Sequence, residues 1–184
     1  MGFIFSKLLS LFVSKRKVRI LMLGFEAAEK ASILYQMKIG KLIESIKTID
    51  YNYKVIDYKG LNITFLDYYD HFRVKLFYEI SDGIIFVVDS NEKETFEIAR
   101  DILLECLNDE RLKDAAFLIF ANKQDLNNVL APGELTERLN LGYLGQNREW
   151  IVKGSSGTTG QGLKEGLDWL TDILIKRKKN IQKI

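Results

Sequence analysis

The sequence predicts an α/β fold built on a single, mostly parallel sheet. Three observations carry that reading. Short apolar runs alternate with amphipathic helical stretches, two β-rich runs flank a tight turn, and polar clusters follow the apolar runs. Alternating strands and helices make a parallel sheet covered on both faces, and the hairpin adds one antiparallel edge, giving about six strands. In such sheets ligands gather at the carboxyl ends of the strands.

The elements follow in chain order. The run VRILML (18–23) is a continuous apolar strand, and SILYQMKI (32–39) behind it has a helical pattern. NYKVIDYKGLNITFLD (52–67) places Tyr53 and Val55, then Ile63 and Phe65, on alternating positions around Lys59 and Gly60. That is a hairpin. GIIFVVD (83–89), AFLIFA (116–121) and WIV (150–152) are further buried strands. Residues 92–107 set Phe96, Ala99, Leu103 and Leu107 on one helical face, and residues 162–175 do the same with Leu163, Leu167, Leu170 and Leu174.

Composition narrows the function. The chain has 184 residues, 47% of them hydrophobic and 28% charged, enough for one domain with a real core. A net charge of +2 gives no basis for a nucleic-acid partner. One cysteine, Cys106, allows no intrachain disulfide and fits a reducing compartment. His71 is the single histidine, and it and Cys106 cannot build a zinc cluster or a Cys–His pair without help. No stretch reaches the roughly 18 apolar residues of a membrane span. The start MGFIFSKLLSLFV is apolar but short, carries Lys7 and has no small-residue cleavage site, so a secretory signal is not expected.

Four polar clusters sit at strand ends. GFEAAEKAS (24–32) joins a strand to a helix and nearly matches the phosphate-loop pattern G-x-x-x-x-G-K-[ST], with Gly24 and Lys30 in place. Backbone N–H groups between them can cradle a phosphate while Lys30 reaches its outer oxygens. An ordinary strand–helix turn with a surface lysine is the competing reading. NKQD (122–125) is more specific. The Asn122 amide can meet a purine N7 and O6 edge, the Lys123 stem can pack on the base, and Asp125 can accept from guanine N1–H and N2–H₂, a donor pair adenine lacks. SSGTTG (155–160) can direct N–H groups of Ser156, Gly157 and Thr158 towards O6, or simply be a glycine-rich turn. Asp67, at the end of the hairpin, and Thr48, in the loop before it, are candidates for supporting magnesium.

These residues together resemble the ADP-ribosylation factor (Arf) and Arf-like branch of the small Ras-type GTPases. RILMLG, GIIFVVDSN, FANKQDL and EGLDWL read almost as in that family, and the likeness runs over nearly the whole chain. It implies a phosphate-loop G domain over residues 17–184, preceded at 1–16 by an amphipathic, myristoylatable helix. MGFIFS fits the myristoylation signal on Gly2, and Phe5, Leu8, Leu9 and Phe12 form an apolar stripe beside the basic run KRKVR. The family's properties imply a GTP/GDP-binding, cytoplasmic but peripherally membrane-bound monomer of vesicle-mediated transport, at the Golgi or another endomembrane. Its nucleotide contacts would fall on Gly24, Glu26, Ala27, Ala28, Glu29, Lys30, Ala31, Ser32, Thr48, Asp67, Asp70, Asn122, Lys123, Asp125, Ser156, Gly157 and Thr158. Effectors or exchange factors would meet Tyr51, Leu66 and Phe77.

The departures from the family concentrate at the outer phosphate and the metal. Glu29 replaces the second loop glycine and adds a negative charge. A like-charge pair at ~4 Å costs at most about 4 kcal/mol at an effective dielectric near 20, or roughly a thousandfold in affinity. Ala31 replaces the magnesium-binding Ser/Thr, and Ser32 is one step, about 100°, round the helix. The family's D-x-G-G-Q is DYYDH (67–71), with Asp70 where a glycine N–H would approach the phosphate and His71 where a glutamine would orient water. Two readings follow: a guanine-nucleotide switch with very slow or absent hydrolysis, and a membrane-anchored pseudo-GTPase that binds no nucleotide. Binding of GDP without magnesium is a third.

Overall fold

The computed structural model describes residues 16–25, 28–40, 46–50, 53–59, 61–67, 74–144 and 148–181. Gly2 and the rest of the expected N-terminal helix, Glu26, Ala27, Tyr51, Asp70 and His71 lie outside the described residues. For Thr48, Leu66 and Asp67 only the backbone is described.

The strands are β1 (Arg16–Gly24), β2 (Ile46–Asp50), β3 (Tyr53–Tyr58), β4 (Leu61–Asp67), β5 (Gly83–Asp89), β6 (Ala116–Asn122) and β7 (Trp150–Gly154). They form one seven-stranded sheet in the order β2-β3-β4-β1-β5-β6-β7. β4, β1, β5, β6 and β7 run parallel, and β3 pairs antiparallel with both β4 and β2. The helices are α1 (Lys30–Ile39), α2 (Lys93–Asn108), α3 (Pro132–Arg138), α4 (Leu141–Leu144) and α5 (Leu163–Ile181), with 3-10 turns at Lys75–Ile80 and Glu110–Leu112.

The core is split by the sheet, as strand alternation requires. Leu21, Leu23, Ile84, Phe86, Phe117 and Ile119 face one way and meet Phe96, Ala99, Leu103 and Leu107 of α2. Ile20, Met22, Ile85, Val87, Leu118 and Phe120 face the other way and meet α1 and the Leu163, Leu167, Leu170 and Leu174 stripe of α5. Both helical faces expected from the spacing are therefore the buried ones.

Two expectations change. The sheet has a seventh strand, because residues 46–50 pair with β3 rather than looping over the site. In the hairpin, Ile56 is the buried residue among the described side chains of β3, while Val55 is half-buried. The tight turn sets Ile56 opposite Ile63 and Tyr58 opposite Leu61, so Ile56 shares the core face and Val55, opposite Thr64, takes the other.

The hairpin turn is fastened to α5. Asp168 accepts from Tyr58 Oη at 2.6 Å and Lys164 Nζ at 2.6 Å, and pairs with Lys59 Nζ at 2.7 Å. Lys59 also reaches Asp172 at 3.0 Å. Burial opposes ionisation of Asp168, but Lys164, Lys59 and Tyr58 outweigh it and hold the carboxyl well below the usual range. A depressed folded-state pKa contributes stability above the unfolded value of about 3.9 and loses it as pH falls further. Asp168→Asn should thus lower stability by about 2 kcal/mol at pH 7. The gap between parent and variant in thermal melts should be constant from pH 7 to 5 and shrink below pH 4. A gap that stays constant down to pH 2.5 would show that the charge of Asp168 is not what matters.

Candidate functional site

The carboxyl ends of β1, β5 and β6 converge with the loop after β7, as the sheet order requires. Gly24 closes β1 at φ +143°, and a Cβ there would stand 2.4 Å from the Val87 carbonyl oxygen of β5. Only glycine lets β1 pass so close to its neighbour before the chain turns away. The chain then enters α1 through Glu29, whose φ of 64° and ψ of 37° are left-handed. That conformation suits the glycine the pattern expects and is held here by a side chain with a Cβ, at a cost of roughly 1 kcal/mol.

Lys30 is buried, 4% exposed, and its ammonium donates to the carbonyls of Gly24 at 2.9 Å and Phe25 at 3.4 Å. It therefore curls back over the loop, where a phosphate-loop lysine is needed. Ala28 is buried and Ala31 exposed. Ser32 Cβ lies 3.3 Å from where a Cβ on Gly157 would be, so Ser32 packs towards the loop after β7.

Asn122 ties the site together. It is fully buried; its Nδ2 donates to the Ala28 carbonyl at 3.0 Å, and its Oδ1 accepts from Gly157 N at 2.9 Å and Ser155 Oγ at 3.2 Å. One side chain thus bonds the phosphate-loop segment to the loop after β7, with one Nδ2 proton left over. Next to it Lys123, at φ 69°, pairs with Asp89 Oδ2 at 2.7 Å and stands 3.9 Å from Glu29 Oε1. The bond to Asp89 raises the Lys123 pKa, so the ammonium is firmly charged. Asp125 projects into solvent.

The loop after β7 has the form of the glycine-rich turn, the second of its two readings. Its N–H groups bond within the chain: Ser156 N to Gln161 O, Gly157 N to Asn122 Oδ1, and Thr158 N to Ser156 Oγ. They are turned inward because Asn122 and the Ser156 hydroxyl organise the turn. Gln36 Nε2 of α1 also bonds Thr158 O.

Thr48 lies in a strand rather than in the expected loop. It sits in edge strand β2, paired with Lys54, three strands from β1. At ~4.8 Å per strand that is roughly 14 Å away. Ala31 offers no side-chain oxygen, and the Thr48 backbone lies at the sheet edge, so among the described residues these two family metal positions do not come together. Asp67 ends β4 beside Met22 of β1, as expected. Phe77 is half-buried against the core, and the outward residues of its 3-10 turn are Leu76 and Ile80, 75% and 42% exposed.

The sequence reading passed over Asp89. A carboxylate ending a buried strand, one strand from NKQD, was the available signal.

The fold has known counterparts. The model of the ADP-ribosylation factor family matches residues 4–174. The chain belongs to the ADP-ribosylation factor family. Its structure is similar to the Arl6 BBS3 small GTPase from Trypanosoma brucei, solved with the bound nucleotide analogue GppNp. The TM-score is 0.75 at 25% identity, over 87% of this chain and 98% of that one. The fold is thus that of an Arf-type small GTPase. Among the described residues no helix is long and apolar enough to cross a membrane.

Proposed function

We propose that this Arf-family chain is a guanine-nucleotide-responsive switch that works at a membrane surface in intracellular protein transport, with hydrolysis very slow or lost. The observation that carries the nucleotide reading is the Asn122 junction, which holds Lys123 and the exposed Asp125 at one strand end next to the loop of Lys30. The membrane reading rests on the Gly2 signal and the apolar stripe. One myristoyl chain gives only about 10⁴ M⁻¹, so the stripe and KRKVR would supply the second contact. Partners would read the surface around Tyr51, Leu66 and Phe77, together with Leu76 and Ile80.

A specific observation favours a second reading, the nucleotide-free interaction module. Glu29 already pairs with Lys123, and the loop donors after β7 are satisfied within the chain. Purified protein separates the two. On the first reading it releases guanine nucleotide on denaturation, and GDP raises its melting temperature more than IDP, which lacks the N2 amine. That amine's bond to the Asp125 carboxylate is worth about tenfold or more in affinity, and Asp125→Ala should erase the difference. No GDP or GTP binding at millimolar concentration would leave the module.

A further inference from the structure

Glu29 does not point where its place in the loop suggests. A residue between the phosphate loop and its lysine is expected to oppose phosphate. Instead, its left-handed backbone sends the side chain across to the base-reading residues. One carboxylate oxygen stands 3.9 Å from Lys123 Nζ. The other is 3.3 Å from the position of a Cβ on Gly157, and Asn122 Nδ2 is 3.5 Å from that same position. Lys123, Gly157 and Asn122 are the residues a purine edge would touch.

We infer that Glu29 is a tethered occupant of the purine pocket: its carboxylate fills the space between Lys123 and Gly157, and a guanine nucleotide must displace it to bind. This deepens, and rests on, the guanine-nucleotide reading above. A side chain fixed one residue from α1 competes at an effective concentration that free ligand seldom matches. The apparent dissociation constant is then the intrinsic one divided by the fraction of molecules with Glu29 swung out. Opening is permitted by the local charges. Asp89 holds Lys123 at 2.7 Å, closer than Glu29 does, so the ammonium stays paired when Glu29 leaves. The Glu29 side chain is 36% exposed, which leaves it a way out into solvent.

The inference separates from simple charge repulsion, because repulsion acts on phosphates and an occupant acts on the base. Calorimetric titration of guanosine and GDP into the full chain tests it, with Glu29→Ala and the neutral, similar-sized Glu29→Gln. Glu29→Ala should tighten guanosine and GDP by the same factor, about tenfold or more, equivalent to about 1.4 kcal/mol. Glu29→Gln should tighten guanosine less than Glu29→Ala does. In the unmutated chain, carbon NMR should show the Glu29 carboxylate signal moving on addition of guanosine. Equal guanosine affinity in all three proteins, or a carboxylate signal unmoved by guanosine at saturation, overturns the inference while leaving the nucleotide reading intact. Folded proteins none of which binds guanosine or GDP overturn both.

Discussion

Asn122→Ala is expected to destabilise the protein by about 4 kcal/mol and lower its melting temperature by about 12 °C, a substantial part of a domain's margin. The argument is a count of stranded groups. The Asn122 amide is fully buried and satisfies the Ala28 carbonyl, the Gly157 N–H and the Ser155 hydroxyl. Each buried group left without a partner costs about 1–3 kcal/mol, and water entering the new space recovers part of that. Asn122→Asp keeps the volume and the acceptor but sets a carboxylate oxygen against the Ala28 carbonyl, so it should also destabilise. Differential scanning calorimetry decides it: a loss under about 3 °C in Asn122→Ala would mean the loops are held by other contacts. The same truncation should abolish nucleotide effects on melting, because the junction positions both halves of the site.

The elements legible in the sequence were those whose burial imposes a period. The five parallel strands and the faces of α2 and α5 could be read because residues such as Phe86, Phe120, Leu103 and Leu167 must be covered on schedule. β2 could not. An edge strand pairs on one side only, and Lys47, Thr48 and Asp50 carry little apolar signal, so Thr48 read as loop. The register of β3 was likewise set by the turn rather than by the pattern of its own residues. At the site, residue types were legible and directions were not. NKQD named candidate base-reading residues, but that Asn122 spends its amide on two loops depends on strand ends meeting in space. The direction of Glu29 depends on one backbone dihedral. Both facts concern side chains whose partners lie some 30 to 100 positions away in sequence.

The other large effect expected is a gain. Glu29→Gly combined with Ala31→Thr should raise GTP affinity by more than the roughly tenfold gain expected of Glu29→Ala alone and make it magnesium-dependent, whereas any GDP binding by the parent should be insensitive to EDTA. Glycine relieves the left-handed strain and removes the carboxylate facing Lys123. Threonine places a hydroxyl on the first turn of α1, where the parent has a methyl group. The second hydroxyl is the obstacle: Thr48 is bonded into β2, roughly 14 Å from β1 by strand spacing. Metal binding of the family type therefore requires β2 to leave β3. The double variant with GTP and magnesium should show faster amide exchange at residues 46–50 than with GDP, while β5 and β6 stay protected. Tight, EDTA-sensitive GTP binding with β2 still fully protected would mean that Thr48 takes no part. Unchanged weak binding would place the defect outside the phosphate loop, at DYYDH. The test turns on the sheet, because the residue that the resemblance assigns to the metal is, in this structure, part of its outer edge.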